Sequence, residues 1–122
     1  MTSNRMPNSS LQGLVIDVPK AEHERAVAFW SAALGHAPAV SEKYPAYVQF
    51  ADVTPGCYLL VQATGDSESR MHLDFATADR DAELDRLTRV GAEEVTREHR
   101  WGVMRDPAGQ PFCVCPVTGC MA

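Results

Sequence analysis

The sequence predicts an α+β fold built from two successive βαβββ modules. Three observations carry that prediction. First, an apolar, branched run at 11–18, "LQGLVIDV", leads into a helical pattern at 21–34, and a second run at 70–76, "RMHLDFA", leads into one at 78–90. Second, the span from Asp17 to Gly35 nearly equals that from Asp74 to Gly91. Third, each half closes with an aromatic-bearing strand ending in Asp (Asp52, Asp106), then a Pro/Gly turn and an apolar strand. A repeat of about 50 residues marks a duplicated structural unit.

The elements follow in chain order. Within "AEHERAVAFWSAAL" (21–34), Val27, Trp30 and Leu34 share a face with Ala26 and Ala33 beside it, and Gly35 is a natural stop. Trp30 therefore reads as core, and His23 and His36, at the helix ends, read as solvent-exposed. A short strand at 38–41 is weakly marked. "AYVQFAD" (46–52) and "CYLLVQA" (57–63) flank the turn "TPG" at 54–56, a hairpin pattern. In the second half, Asp79, Asp81 and Glu83 crowd the helix start, where carboxylates suit the dipole. Leu84 and Leu87 face inward and Gly91 ends the helix. Strands are expected at 92–98, 100–106 and 111–117, with "PAG" (107–109) turning the chain. One domain results at 10–117: module one at 10–63, a polar linker "TGDSES" at 64–69, and module two at 70–117. Residues 1–9 read as a disordered lead and 118–122 as a tail.

A chain of 122 residues buries a real core without staples. Its net charge of −5 and lack of any basic run argue against nucleic acid or an anionic membrane as partner. The longest apolar runs, such as "YLLV" at 58–61, fall far short of a membrane span, and "MTSNRMPNSSLQG" lacks the apolar core of a signal peptide. A cytoplasmic location is expected. The four cysteines (57, 113, 115, 120) form no Cys-x-x-Cys pair, so free thiols are expected.

The stretch "MHLDF" at 71–75 holds the strongest functional signal. Alternation puts His72 and Asp74 on one strand face and Met71, Leu73 and Phe75 on the other. The apolar set should meet the helix, leaving His72 and Asp74 to line a cleft, with a histidine satisfied by a neighbouring strand as the bland alternative. A cleft histidine can act as acid, base or donor. Asp17 and Asp74 occupy equivalent places in the two modules. Either they approach each other and split their proton affinities, or each pairs with an arginine such as Arg70 or Arg105. Trp101, and Tyr47 in the first module, either stack on a flat ligand or belong to the core. Cys113 and Cys115 share a face of the last strand. Cys113 as a nucleophile would need a base, a part open to His72 if the two strands adjoin.

Four segments in order, "VIDVP" with "AVAFWSAALG", "MHLDFATADRDAELDRLTRVGA" and "WGVMRDPAGQPFCVC", resemble the vicinal oxygen chelate superfamily, the glyoxalase and bleomycin-resistance group. The resemblance implies the glyoxalase/bleomycin-resistance/dioxygenase fold: paired modules forming a concave mixed sheet around a ligand site, often in a homodimer. Metal-using members hold a divalent ion with four ligands, from the first and last strands of each module. The corresponding positions here are Gly13, Gln62, His72 and Cys113, so His72 is the only family-like ligand. No metal or other cofactor is therefore expected; a divalent metal completed by Asp74 or Asp17 is the alternative. The resemblance thus implies a protein that binds a small organic molecule in its cleft, for sequestration or acid–base chemistry. His72 and Asp74 would be the catalytic pair, and Asp17, Gln62, Trp101 and Cys113 the cleft lining. The other readings are a divalent-metal-dependent lyase, isomerase or dioxygenase, and a non-catalytic oligomerisation or regulatory module.

Overall fold

The same strand–helix–three-strand unit forms twice. The computed structural model describes residues 9–65 and 68–118. Most of the expected lead (1–8), the middle of the linker (66–67) and most of the tail (119–122) lie outside the described residues. The chain divides into two compact units, with one boundary inside β1 between Leu11 and Gln12 and the other between His72 and Leu73.

In the first unit the elements are β1 (Ser10–Pro19), a 3-10 turn (Lys20–Glu22), α1 (His23–Leu34), β2 (Ala39–Val40), β3 (Tyr47–Thr54) and β4 (Cys57–Thr64). The strands lie in the order β2-β3-β4-β1, with β1 parallel to β4 and the other pairs antiparallel. Gly35, at φ 68°, ends α1 in the left-handed conformation that suits glycine, and its N–H donates to the Ser31 carbonyl. Val18, Phe50, Leu59 and Val61 form the buried core, packed by Leu14, Ile16, Val27, Trp30 and Leu34. Trp30 is thus core, as the helical stripe predicts. The third strand runs past the expected end at Asp52, through an irregularity in which Asp52 adopts φ 48°. His23 departs from the exposed position expected of it. It is half-buried, and its Nε2 donates to the Val61 carbonyl at 3.0 Å, because the first turn of α1 packs against β4.

The second unit holds β5 (Arg70–Thr77) from Leu73 on, α2 (Arg80–Arg89), β6 (Glu93–Arg97), β7 (Gly102–Arg105) and β8 (Pro111–Pro116). The order is β5-β8-β7-β6, with β5 parallel to β8 and the rest antiparallel. Asp79 is the N-cap of α2, so the helix begins at Arg80 and not at 78; the Asp79 carboxylate accepts from the Ala82 N–H at 3.1 Å. Leu84, Met104, Phe112 and Val114 are the buried core, with Leu73, Phe75 and Leu87 against them. Ser9 joins this unit: its N–H and hydroxyl donate to Oε2 of Glu83 at 2.9 and 2.5 Å, while Oε1 of Glu83 accepts from Arg86 at 2.7 Å.

The expectation of free thiols holds for Cys57 and Cys113 and fails for Cys115, which is disulfide-bonded. A compartment argument addresses the redox poise, whereas bonding depends on which sulfurs the fold brings together. Among the described residues no helix is long and apolar enough to cross a membrane.

Candidate functional site

Each sheet has one face covered by its helix and one without. In the first unit Leu14, Ile16, Val18, Leu59 and Val61 belong to the helix-side core. Alternation therefore turns Gly13, Val15 and Asp17 of β1, with Tyr58, Leu60 and Gln62 of β4, to the opposite face. Cross-strand register sets Asp17 beside Gln62, and Gln62 beside Tyr47. Gln62 and Leu60 thus share the helix-free face, a point that the sequence leaves open.

Leu73 and Phe75 pack into the second core, so His72 and Asp74 point the other way, as alternation predicts. The ring of His72 meets Asp17: Nδ1 lies 2.8 Å from Oδ2, with side chains only 17% and 16% exposed. The printed partner of Asp17 is thus a histidine rather than an arginine. Arg105, one of the expected partners, lies 3.8 Å from Glu93 instead. The second Asp17 oxygen, Oδ1, is buried and has no hydrogen-bond partner among the described residues. A carboxylate on Nδ1 fixes the imidazole proton there and leaves Nε2 as the basic nitrogen.

The β5–β8 pair adds a second grouping. Asp74 is the register partner of Cys113. Asp74 is buried. Asp74 and Cys113 thus meet within the second unit, and Asp17, His72 and Gln62 within the first. Trp101 belongs to neither grouping. It sits just before β7, half-buried, with its carbonyl accepting from Arg80 at 3.1 Å.

The sequence reading missed Tyr58. A Cβ placed on Gly13 would come within 2.3 Å of the Tyr58 ring, so the tyrosine fills the space where a side chain at position 13 would sit. The only signal for this is the cross-strand register of Gly13 with Tyr58, and no local pattern encodes it.

A family model for the glyoxalase-like domain matches residues 13–115. The chain belongs to the glyoxalase-like domain family. No curated protein matches it. Among solved structures, this glyoxalase-like chain is similar to methylmalonyl-CoA epimerase from Mycobacterium tuberculosis, at 16% identity and TM-score 0.64 over 95% of this chain and 92% of that one. It is also similar to a Streptomyces coelicolor methylmalonyl-CoA epimerase variant in complex with 2-nitronate-propionyl-CoA, at 19% identity and TM-score 0.60 over 89% and 97% of the two chains. A Legionella pneumophila structure described as an NAD-dependent benzaldehyde dehydrogenase has 15% identity and TM-score 0.68 over 85% and 96%. At these identities the likeness establishes the fold.

The four metal-ligand positions that the family implies do not fit an ion in this member. Gly13 supplies no donor, and the Tyr58 ring fills the space beside it. Gln62 supplies only a neutral amide, a weak partner for a hard divalent ion.

Proposed function

We propose that this glyoxalase-like protein binds a small organic molecule against the helix-free sheet face, with His72 as its central polar group and without the family's usual four metal ligands. One observation carries the reading: the mostly buried Asp17–His72 hydrogen bond on that face. An imidazole held by a carboxylate has a fixed tautomer, so its Nε2 can accept a hydrogen bond or a proton from a ligand without first reorienting. Gln62 offers an amide beside Asp17, and Asp74 a second carboxyl on the strand of His72.

Binding alone would serve sequestration. Proton exchange at an activated carbon would use the same group as base, and the two epimerases among the similar structures act on an acyl-CoA of that kind. A carbon acid such as an activated acyl group is therefore the ligand class to try first.

A thermal-shift screen of such compounds tests the reading. Compounds that stabilise the wild type are expected to lose affinity tenfold or more, about 1.4 kcal/mol, in His72→Ala. Affinities indifferent to His72→Ala and to Asp17→Asn would overturn it.

A further inference from the structure

We infer that the helix-free face of the first unit selects an uncharged acyl carbonyl, such as an amide or ester, over a free carboxylate, and that Gln62 makes the selection. The inference rests on the ligand-binding reading above and narrows its ligand class.

Three strands build this face. Phe50 belongs to the helix-side core and Val48 is buried on the same side, so alternation turns Tyr47 and Gln49 of β3 to the other face. There Tyr47 is the register partner of Gln62, and Gln62 that of Asp17. Tyr47, Gln62 and Asp17 thus form one row across the sheet, and His72 closes it through the 2.8 Å bond to Asp17. Gln49, Leu60 and Val15 make the next row, polar at one end and apolar for the rest. Facing side chains on neighbouring strands stand about 5 Å apart, so one small ligand group reaches adjacent members of a row.

Hydrogen bonding and charge name the ligand group. The Gln49 and Gln62 amides and the Tyr47 hydroxyl are half-buried, and among the described residues no protein group hydrogen-bonds to them. The Gln62 amide and the Tyr47 hydroxyl both carry donors, which the two lone pairs of a carbonyl oxygen can accept. Charge then separates a carbonyl from a carboxylate. Strands β1, β3 and β4 contain no lysine or arginine. The Asp17 carboxylate stands beside Gln62, and its Oδ1 is buried with no hydrogen-bond partner among the described residues. Arg70 shares the His72 face of β5 but is exposed at the strand's start, where water and salt screen it. A carboxylate laid on Gln62 would lose hydration beside a like charge, with no cation in those strands to offset it. An uncharged carbonyl meets neither cost, and Leu60 and Val15 take its apolar body.

Phenylacetamide and phenylacetate provide the test, because they share a shape and differ in charge. Each is titrated into nitrogen-labelled protein, followed by NMR at the side-chain amide of Gln62, whose signal is identified by its loss in Gln62→Leu. The expected result is a saturable shift with phenylacetamide, and binding of phenylacetate weaker by about tenfold or more. Gln62→Leu abolishes the preference, and Tyr47→Phe, which removes only a hydroxyl, narrows it. Circular dichroism confirms that each variant is folded. Equal affinities for the two compounds, a preference that survives Gln62→Leu, or no saturable shift with either compound overturns the inference. His72→Ala separates it from the reading on which it rests. Binding that is lost in His72→Ala but shows no preference for the amide overturns the inference and leaves the ligand-binding proposal standing. Selective binding that His72→Ala leaves unchanged supports Gln62 as the selector and removes His72 as the central group.

Discussion

Oδ2 of Asp17 lies 2.8 Å from Nδ1 of His72, although 55 positions separate them in the chain. Both side chains are largely withdrawn from water, so removing one acceptor leaves a buried donor without its partner, at about 1–3 kcal/mol. Asp17→Ala is expected to lower stability by that amount in urea unfolding. Nitrogen NMR of the ring should find the wild-type proton on Nδ1 and a mixed tautomer in the variant. A wild-type proton on Nε2 would contradict the role given to Asp17.

The closeness of Gly13 to Tyr58 makes a second prediction. A methyl at position 13 would stand 2.3 Å from the ring, so Gly13→Ala overpacks the site and should cost about 1–3 kcal/mol. In a Tyr58→Ala background the same change should cost much less. The check is a double-mutant cycle in denaturant, and strict additivity would show that the two positions do not touch.

Glu83 predicts an acid limb of stability. Its carboxyl is held below the ordinary value of 4.5, chiefly by hydrogen bonds from Arg86; burial opposes this, and the two bonds from Ser9 add to it. A depressed folded-state value means that the unfolded chain takes up the proton first as pH falls. The stabilisation is therefore complete above about pH 4.5 and is lost as pH falls through the lower folded-state value. Unfolding free energy measured from pH 7 to pH 3 should decline below that point. In Glu83→Gln the starting stability should be lower and the decline shallower; equal slopes would remove Glu83 as the cause.

The thiols should react in an order set by structure. Cys57 and Cys113 are free and half-buried, whereas Cys115 is fully buried and disulfide-bonded. Iodoacetamide followed by peptide mass spectrometry should label the first two in the folded protein and Cys115 only after reduction and unfolding.

Much of this was legible in the chain because it depends on local period. The stripe of Val27, Trp30 and Leu34 marks α1, Gly35 marks its end, and the alternation across 71–75 puts His72 and Asp74 on one face, each of which the structure reproduces. Helix α2 begins two residues later than the apolar pattern suggests, since Asp79 spends its side chain on the cap. The sequence does not show that His23 is half-buried, because its partner is the backbone of a strand far along the chain, which no periodicity reports.

The sequence by itself therefore determined two βαβββ units, their helix-side cores, and a helix-free strand face bearing an ionisable pair. Only the tertiary structure decided that Asp17 turns to His72, that Tyr58 occupies the space beside Gly13, and that Cys113 stands opposite Asp74. For Gly13 with Tyr58 and for Asp74 with Cys113 the physical reason is register: the parallel pairs β1–β4 and β5–β8 join segments far apart in the chain, and a one-residue slip would turn every partner to the other face.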